Sequence, residues 1–183
     1  MKYCPECAAL VVPQVIGGRE RQVCPACGYV FWNNPTPVVG AIVELGSNVL
    51  LTRKREWPAE RWGLVAGFVE AGETMEEAAR REVQEETGLQ AEVLELVGVY
   101  TLLARNQVYI VYRLRAAGAW QVGEELEALR EFNRDEVAAL VALLPPQSGA
   151  GRALQEWLRR AAPDCRPPAG TGAPGGGCPP AAG

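Results

Sequence analysis

Three carboxylates, Glu82, Glu85 and Glu86, crowd the stretch REVQEE. On a helix, residues three and four apart share one face, so these acids would form one stripe and repel each other by a few tenths of a kcal/mol per pair, to order of magnitude. A hard divalent cation, which prefers oxygen ligands, offsets that repulsion. A second concentration of ligands lies near the N-terminus. CPEC places Cys4 and Cys7, and CPAC places Cys24 and Cys27, two CxxC pairs at the spacing of a four-cysteine zinc site. Four thiolates fill a tetrahedral shell and leave no position for a substrate, so zinc there is structural. Gly28 follows the second pair, where a tight turn must let backbone N–H groups face sulfur. Two disulfides or a redox pair form the competing reading; the doubled motif and the lack of a thioredoxin-like context disfavour it.

The chain contains no histidine. Ser-His-Asp and Cys-His nucleophilic sites, His-ligated metals and an imidazole base are therefore excluded. Carboxylates, thiols, lysine, tyrosine and water must carry any chemistry. The net charge of −4 and the pI near 5.1 give no global field for nucleic acid or an anionic membrane. No apolar run reaches the roughly 20 residues of a membrane span, and MKYCPECAAL is not a secretory leader. A reducing, cytoplasmic location is the expectation.

The elements that must position these groups divide into three stretches. Residues 1–31 hold the cysteines and little core potential. Residues 36–162 hold the apolar periodicity. Residues 163–183, with Cys165 and Cys178, are almost wholly Pro, Gly and Ala, and such a composition predicts disorder. In the central stretch, 38–45 and 48–54 read as strands joined by a Gly-Ser-Asn turn, and 64–70 as a strand running into a loop. TMEEAARREVQEETG (74–88) predicts a helix, opened by a Thr74/Glu77 capping box and closed by Gly88. Residues 91–103 and 107–116 are strand-like; 133–144 and 151–162 are helical and stopped by prolines. The sum is an α/β fold with a mixed sheet.

Gly67, Glu73, Arg81-Glu82-Val83, Glu85-Glu86 and Gly88-Leu89 together spell Gx5Ex7REUxEExGU, with U aliphatic. This pattern resembles the signature of the Nudix hydrolases. The resemblance implies an α/β/α sandwich with a mixed sheet, preceded here by a small zinc ribbon. It implies Mg²⁺ or Mn²⁺ and attack of water on a pyrophosphate linkage in a small nucleotide substrate. Glu82, Glu85 and Glu86 would supply metal ligands and a proton acceptor. Glu73 and Arg81 would brace the loop, and Gly67 would offer a backbone carbonyl to the metal.

A four-cysteine ribbon ahead of that signature resembles the NADH pyrophosphatase branch, as do FWNNPTPVV (31–39), LLPP (143–146) and the closing helix with Arg152 and Trp157. The same match makes Glu124 the extra carboxylate of the metal site, with Glu127 its rival. That branch carries SQPWPFPxS after the signature; this chain has VYTLLARNQ (99–107) instead. NAD(H), ADP-ribose and FAD all remain candidate substrates, and Asn106 and Gln107 become candidate substrate contacts. Phe68, Trp57 and Trp62 are candidates to stack on a base, against core filling. Of Arg53, Lys54 and Arg55, only alternate residues of a strand can face one way. Between the cysteine pairs Arg19 and Arg21 form no basic cluster, which disfavours nucleic acid. Homodimers occur in the branch resembled, so a dimer is one expectation. The rival from another class is a non-catalytic module that binds a nucleotide or nucleic acid.

Overall fold

The computed structural model describes residues 1–160; the stretch expected to be disordered, with Cys165 and Cys178, lies outside the described residues. In the N-terminal segment, β1 (Val12–Ile16), β2 (Arg19–Val23) and β3 (Val30–Phe31) form an antiparallel sheet in that order. Gly17 and Gly18 join β1 to β2 with φ of 59° and 75°, the backbone a two-residue hairpin turn requires. Cys4, Val23 and Cys24 are the buried apolar residues of this segment. So small a core cannot hold three strands by itself.

The rest builds one sheet and three helices: β4 (Thr36–Leu45), β5 (Asn48–Lys54), β6 (Val65–Phe68), α1 (Met75–Thr87), β7 (Ala91–Leu102), β8 (Gln107–Ala116), β9 (Leu126–Phe132), α2 (Arg134–Leu143) and α3 (Gly149–Arg159). The strand order is β7-β8-β4-β5-β9, with β6 also paired to β4. β4 and β8 run parallel and every other pair is antiparallel, which makes the sheet mixed. Val39, Ala41, Val43 and Leu50 pack under α1 with Ala78, Ala79 and Val83. On the other face Ile42, Leu51 and Val111 pack with Val137, Leu154 and Trp157 of α2 and α3. The result is helix, sheet, helix.

One feature of β4 creates the site. Residues 38–41 pair with β6, whereas residues 43–45 pair with β5. Two strands therefore hang from successive halves of one β4 edge, and a wedge opens between them.

Two local expectations need correcting. The β4–β5 turn is Gly46-Ser47, with Gly46 at φ 61°, and Asn48 already pairs with Leu45. β9 was not foreseen. The register shift opposite Arg53/Lys54 brings Leu126 and Leu129 to the α1 face, and Phe132 lies buried on the other face, so the buried residues fall every third position, a helix-like spacing. Among the described residues no helix is long and apolar enough to cross a membrane.

Candidate functional site

Helix α1 carries the acids, and its start is fixed by the capping box. Thr74 Oγ1 accepts from the Glu77 N–H at 3.2 Å, and Glu77 Oε2 accepts from the Thr74 N–H at 2.8 Å. Gly88 at φ 73° ends the helix. Val83, Ala78 and Ala79 seat one face of α1 on the sheet. That seating turns Glu82 and Glu86 toward β6 and leaves Glu85 exposed. Gly67 allows the approach, since a Cβ there would overlap the Glu82 carboxylate.

Arg81 organises the near side of this cluster. Its guanidinium donates to Glu73 at 2.6 and 3.0 Å, to the Phe68 carbonyl at 2.9 Å, to Glu82 at 2.7 Å and to Glu85 at 3.1 Å. One planar fork thus ties the loop after β6 to two acids of α1. The Arg81 hydrogen bonds, aided by the Glu70 N–H, hold the Glu73 carboxyl down at about 2. This stabilisation is present above the ordinary glutamate range and is lost as pH falls toward 2.

Glu82 and Glu86 shift the other way. Burial raises the Glu82 carboxyl against the pull of Arg81. Burial raises Glu86 to about 7, with Lys54 and the Ala66 N–H opposing and Glu82 and Glu125 reinforcing the rise. Glu86 Oε2 is buried and accepts no hydrogen bond among the described residues. Two half-paired carboxylates and one orphaned oxygen beside a strand edge are what a hard divalent cation would complete. The donor set fits that ion.

The loop before β9 carries Glu124, the expected fourth acid of the site, and its rival Glu127. Glu124 is exposed, and its backbone carbonyl accepts from Arg55 at 2.8 Å. Glu127 is the extra residue at the β5–β9 irregularity and is also exposed. Glu125 is exposed as well, and it is the acid of this loop whose charge reaches Glu86. The loop is pinned by Gly123, whose N–H donates to the Glu86 carbonyl at 2.9 Å and whose missing Cβ would sit 2.8 Å from the Glu85 carbonyl. A glycine just before paired acids was the available signal.

The expected substrate contacts are placed variously. Phe68 is exposed at the end of β6, its carbonyl held by Arg81. Asn106 sits at φ 51°, and its amide donates to the Asn33 carbonyl and side chain at 3.2 Å each. It ties the ribbon's exit to the β7–β8 turn, a structural use the sequence did not suggest. Gln107 opens β8 opposite Thr36. Trp62 stacks edge-on to Phe132 with centroids 5.1 Å apart and packs, partly buried, against the core.

In the ribbon the four sulfurs of Cys4, Cys7, Cys24 and Cys27 lie within 4.8 Å of one another. Cys4–Cys27 and Cys7–Cys24 stand 3.5 Å apart, far beyond the about 2.0 Å of a disulfide and near the about 3.8 Å edge of a tetrahedral zinc–sulfur shell. Backbone N–H groups of Cys27 and Ala26 draw the Cys24 thiol down to about 7 against burial. The tetrad fits zinc. Two turns shape it, closed by Ala8 N–H to Cys4 O at 3.0 Å and Gly28 N–H to Cys24 O at 2.9 Å.

Comparison with known proteins agrees with both halves. The family described as NUDIX domain matches residues 34–157, and the one described as Nudix N-terminal, a zinc ribbon, matches residues 2–33. The mitochondrial NAD(P)H pyrophosphatase NUDT13 of Homo sapiens is 31% identical over 137 residues, covering 67% of this chain and 36% of the human protein. The NAD-capped RNA hydrolase NudC of Stutzerimonas stutzeri is 27% identical over 161 residues, 87% of this chain and 56% of that one. An ADP-ribose pyrophosphatase of Methanocaldococcus jannaschii is 42% identical over 118 residues, 61% of this chain and 70% of that one. The chain thus spans little more than a third of the human relative and just over half of the Stutzerimonas one. Among solved structures, a NUDIX hydrolase from Nitrosomonas europaea superposes with a TM-score of 0.72 at 31% identity, covering 86% of this chain and 90% of that one.

Proposed function

The chain belongs to the NUDIX family, and from that membership we propose that it is a divalent-metal-dependent hydrolase of nucleoside diphosphate derivatives. One observation carries this most directly: the buried, unpartnered Glu86 oxygen beside Glu82, over a strand that only glycine lets so close. Glu82, Glu85 and Glu86 hold Mg²⁺ or Mn²⁺, and Glu125 is the added acid in place of Glu124. Gly67 supplies the close approach of β6. Glu73 and Arg81 orient Glu82 and Glu85, and Gly88 ends the helix that carries them.

Bound there, the cation supplies charge neutralisation at phosphate oxygens and acidifies a water. One of the site's carboxylates takes a proton from the attacking water. A phosphorus–oxygen bond to water forms, the bridging phosphorus–oxygen bond breaks, and two phosphorylated halves leave. The relatives' names share an adenosine diphosphate joined to a second group, which favours NAD(H) or ADP-ribose, with FAD in the same class. Four free thiols set for zinc suit a reducing compartment such as the cytoplasm. The rival reading, a binding module without catalysis, would be marked most cheaply by loss of the glutamates; here all three are present.

The test is product analysis after incubation with Mg²⁺ or Mn²⁺ and NADH, NAD⁺, ADP-ribose, FAD or a diadenosine polyphosphate. Mononucleotide release abolished by a chelator is the expected result. No cleavage of any of them by protein shown to hold the cation would overturn the proposal.

A further inference from the structure

Lys54 ends β5 on the α1 side of the sheet. Alternation sets Leu50, Thr52 and Lys54 on that side, with Leu51 and Arg53 on the other. The packing agrees: Leu50 lies in the core under α1, whereas Leu51 lies in the opposite core and Arg53 stacks on Trp62, which borders it. The β5–β9 register shifts at this residue. Arg53 faces Ala128 and Lys54 faces Leu126, so Glu127 stands unpaired between them. Such irregularities bend a strand and re-aim its side chains.

The neighbouring cations have other work. Arg81 is divided among Glu73, Glu82, Glu85 and the Phe68 carbonyl. Arg53 donates to the Ala59 carbonyl, and Arg55 to that of Glu124. Lys54 alone of these four makes no ion pair or side-chain hydrogen bond among the described residues, although its charge is felt at both Glu82 and Glu86. An ammonium near two acids but joined to neither is placed to meet a third anion.

We propose that Lys54 anchors a phosphate of the substrate, its ammonium contacting oxygens of the diphosphate that the acids and their cation address from the other side. A compact charge on a flexible stem suits that contact. The assignment rests on the hydrolase reading above. The alternative is that Lys54 only neutralises the acids.

Lys54→Met, which keeps the stem, and Lys54→Arg, which keeps the charge, separate these. The probe is α,β-methylene-ADP, an uncleavable diphosphate, titrated calorimetrically with Mg²⁺ present. Lys54→Met should weaken probe binding by about ten- to a hundredfold, and the change in turnover should fall mainly on KM. Lys54→Arg should recover most of the loss. Mn²⁺ affinity without nucleotide should hold or tighten in Lys54→Met, since a nearby positive charge is gone. Probe affinity and KM within about twofold of the parent in folded Lys54→Met would overturn the assignment and leave Lys54 a counter-ion. A parent protein that neither binds the probe nor cleaves any diphosphate would instead overturn the hydrolase reading, and this inference with it.

Discussion

The four thiols of the ribbon and the acids of α1 both gather ligands that repel without a cation, yet the chain assembles them by different routes. The ribbon's ligands sit in two short turns, each closed on itself by two backbone hydrogen bonds. The acids depend on four separated pieces: β6, α1, the end of β5 and the loop before β9. Sulfur surrounds its site completely, whereas the acid site keeps an oxygen and a lysine without partners among the described residues. A closed site can substitute for a core, and an open one must be held up by a core. The buried residues are distributed accordingly, few in the ribbon and many on both faces of the large sheet.

Four experiments would break or sharpen this contrast. The largest effect belongs to zinc, whose binding to small cysteine sites supplies on the order of 10 kcal/mol. Chemical analysis should find about one zinc per chain, and its removal, or Cys24→Ser, should make residues 1–33 protease-sensitive while the larger domain still melts cooperatively. A ribbon equally resistant without metal would remove the distinction. Next, Glu86→Gln should lower turnover by about two to three orders of magnitude with the fold intact. Near-parental turnover would take Glu86 out of the metal site.

A pH series on metal-free protein reads the same residue differently. The folded Glu86 carboxyl lies at about 7, above the ordinary value of 4.5. The folded state therefore holds this proton more tightly, and the residue's contribution to stability falls as pH rises from 4.5 to 7. Glu86→Gln should match the parent's melting temperature near the bottom of that window and exceed it above the top. Equal melting at both ends would mean that the carboxyl is not held in a costly environment. The smallest effect is at Ala8, whose φ of 57° matches the role Gly28 plays at φ 78° in the second turn. Ala8→Gly relieves about 1 kcal/mol of left-handed strain, partly offset by a more flexible unfolded chain. Zinc affinity should rise by up to about fivefold; an unchanged or weaker affinity would show that the first turn carries no such strain.

Much of this was legible in the residues themselves. Strands 48–54 and 107–116 and the α1 capping box were readable because period, cap and stop agree over a long stretch. The acids and the cysteines were readable because their chemistry demands fixed local spacing. β9 was not, since an irregularity between Leu126 and Leu129 and burial of Phe132 on the opposite face together give a helical spacing. The reach of the Glu125 and Lys54 charges to Glu86 was equally hidden. Which member of a run of acids or bases comes near a given group depends on strand register, and register is set by partners far along the chain. The tie from Asn106 to Asn33 was hidden for the same reason, since its acceptor is 73 positions away.

The parallel ladder of β4 and β8 sets an order in time. It joins Thr36 to Gln107 and Leu45 to Ala116, so a loop of about seventy residues must close before it zips. The ribbon's turns and α1 need only near neighbours and can form early. On a ribosome, β4 could pair with β5 and β6 along one edge, while its other edge stayed bare until β8 had been synthesised. The four thiols of the ribbon could then gather zinc well before the large sheet was complete.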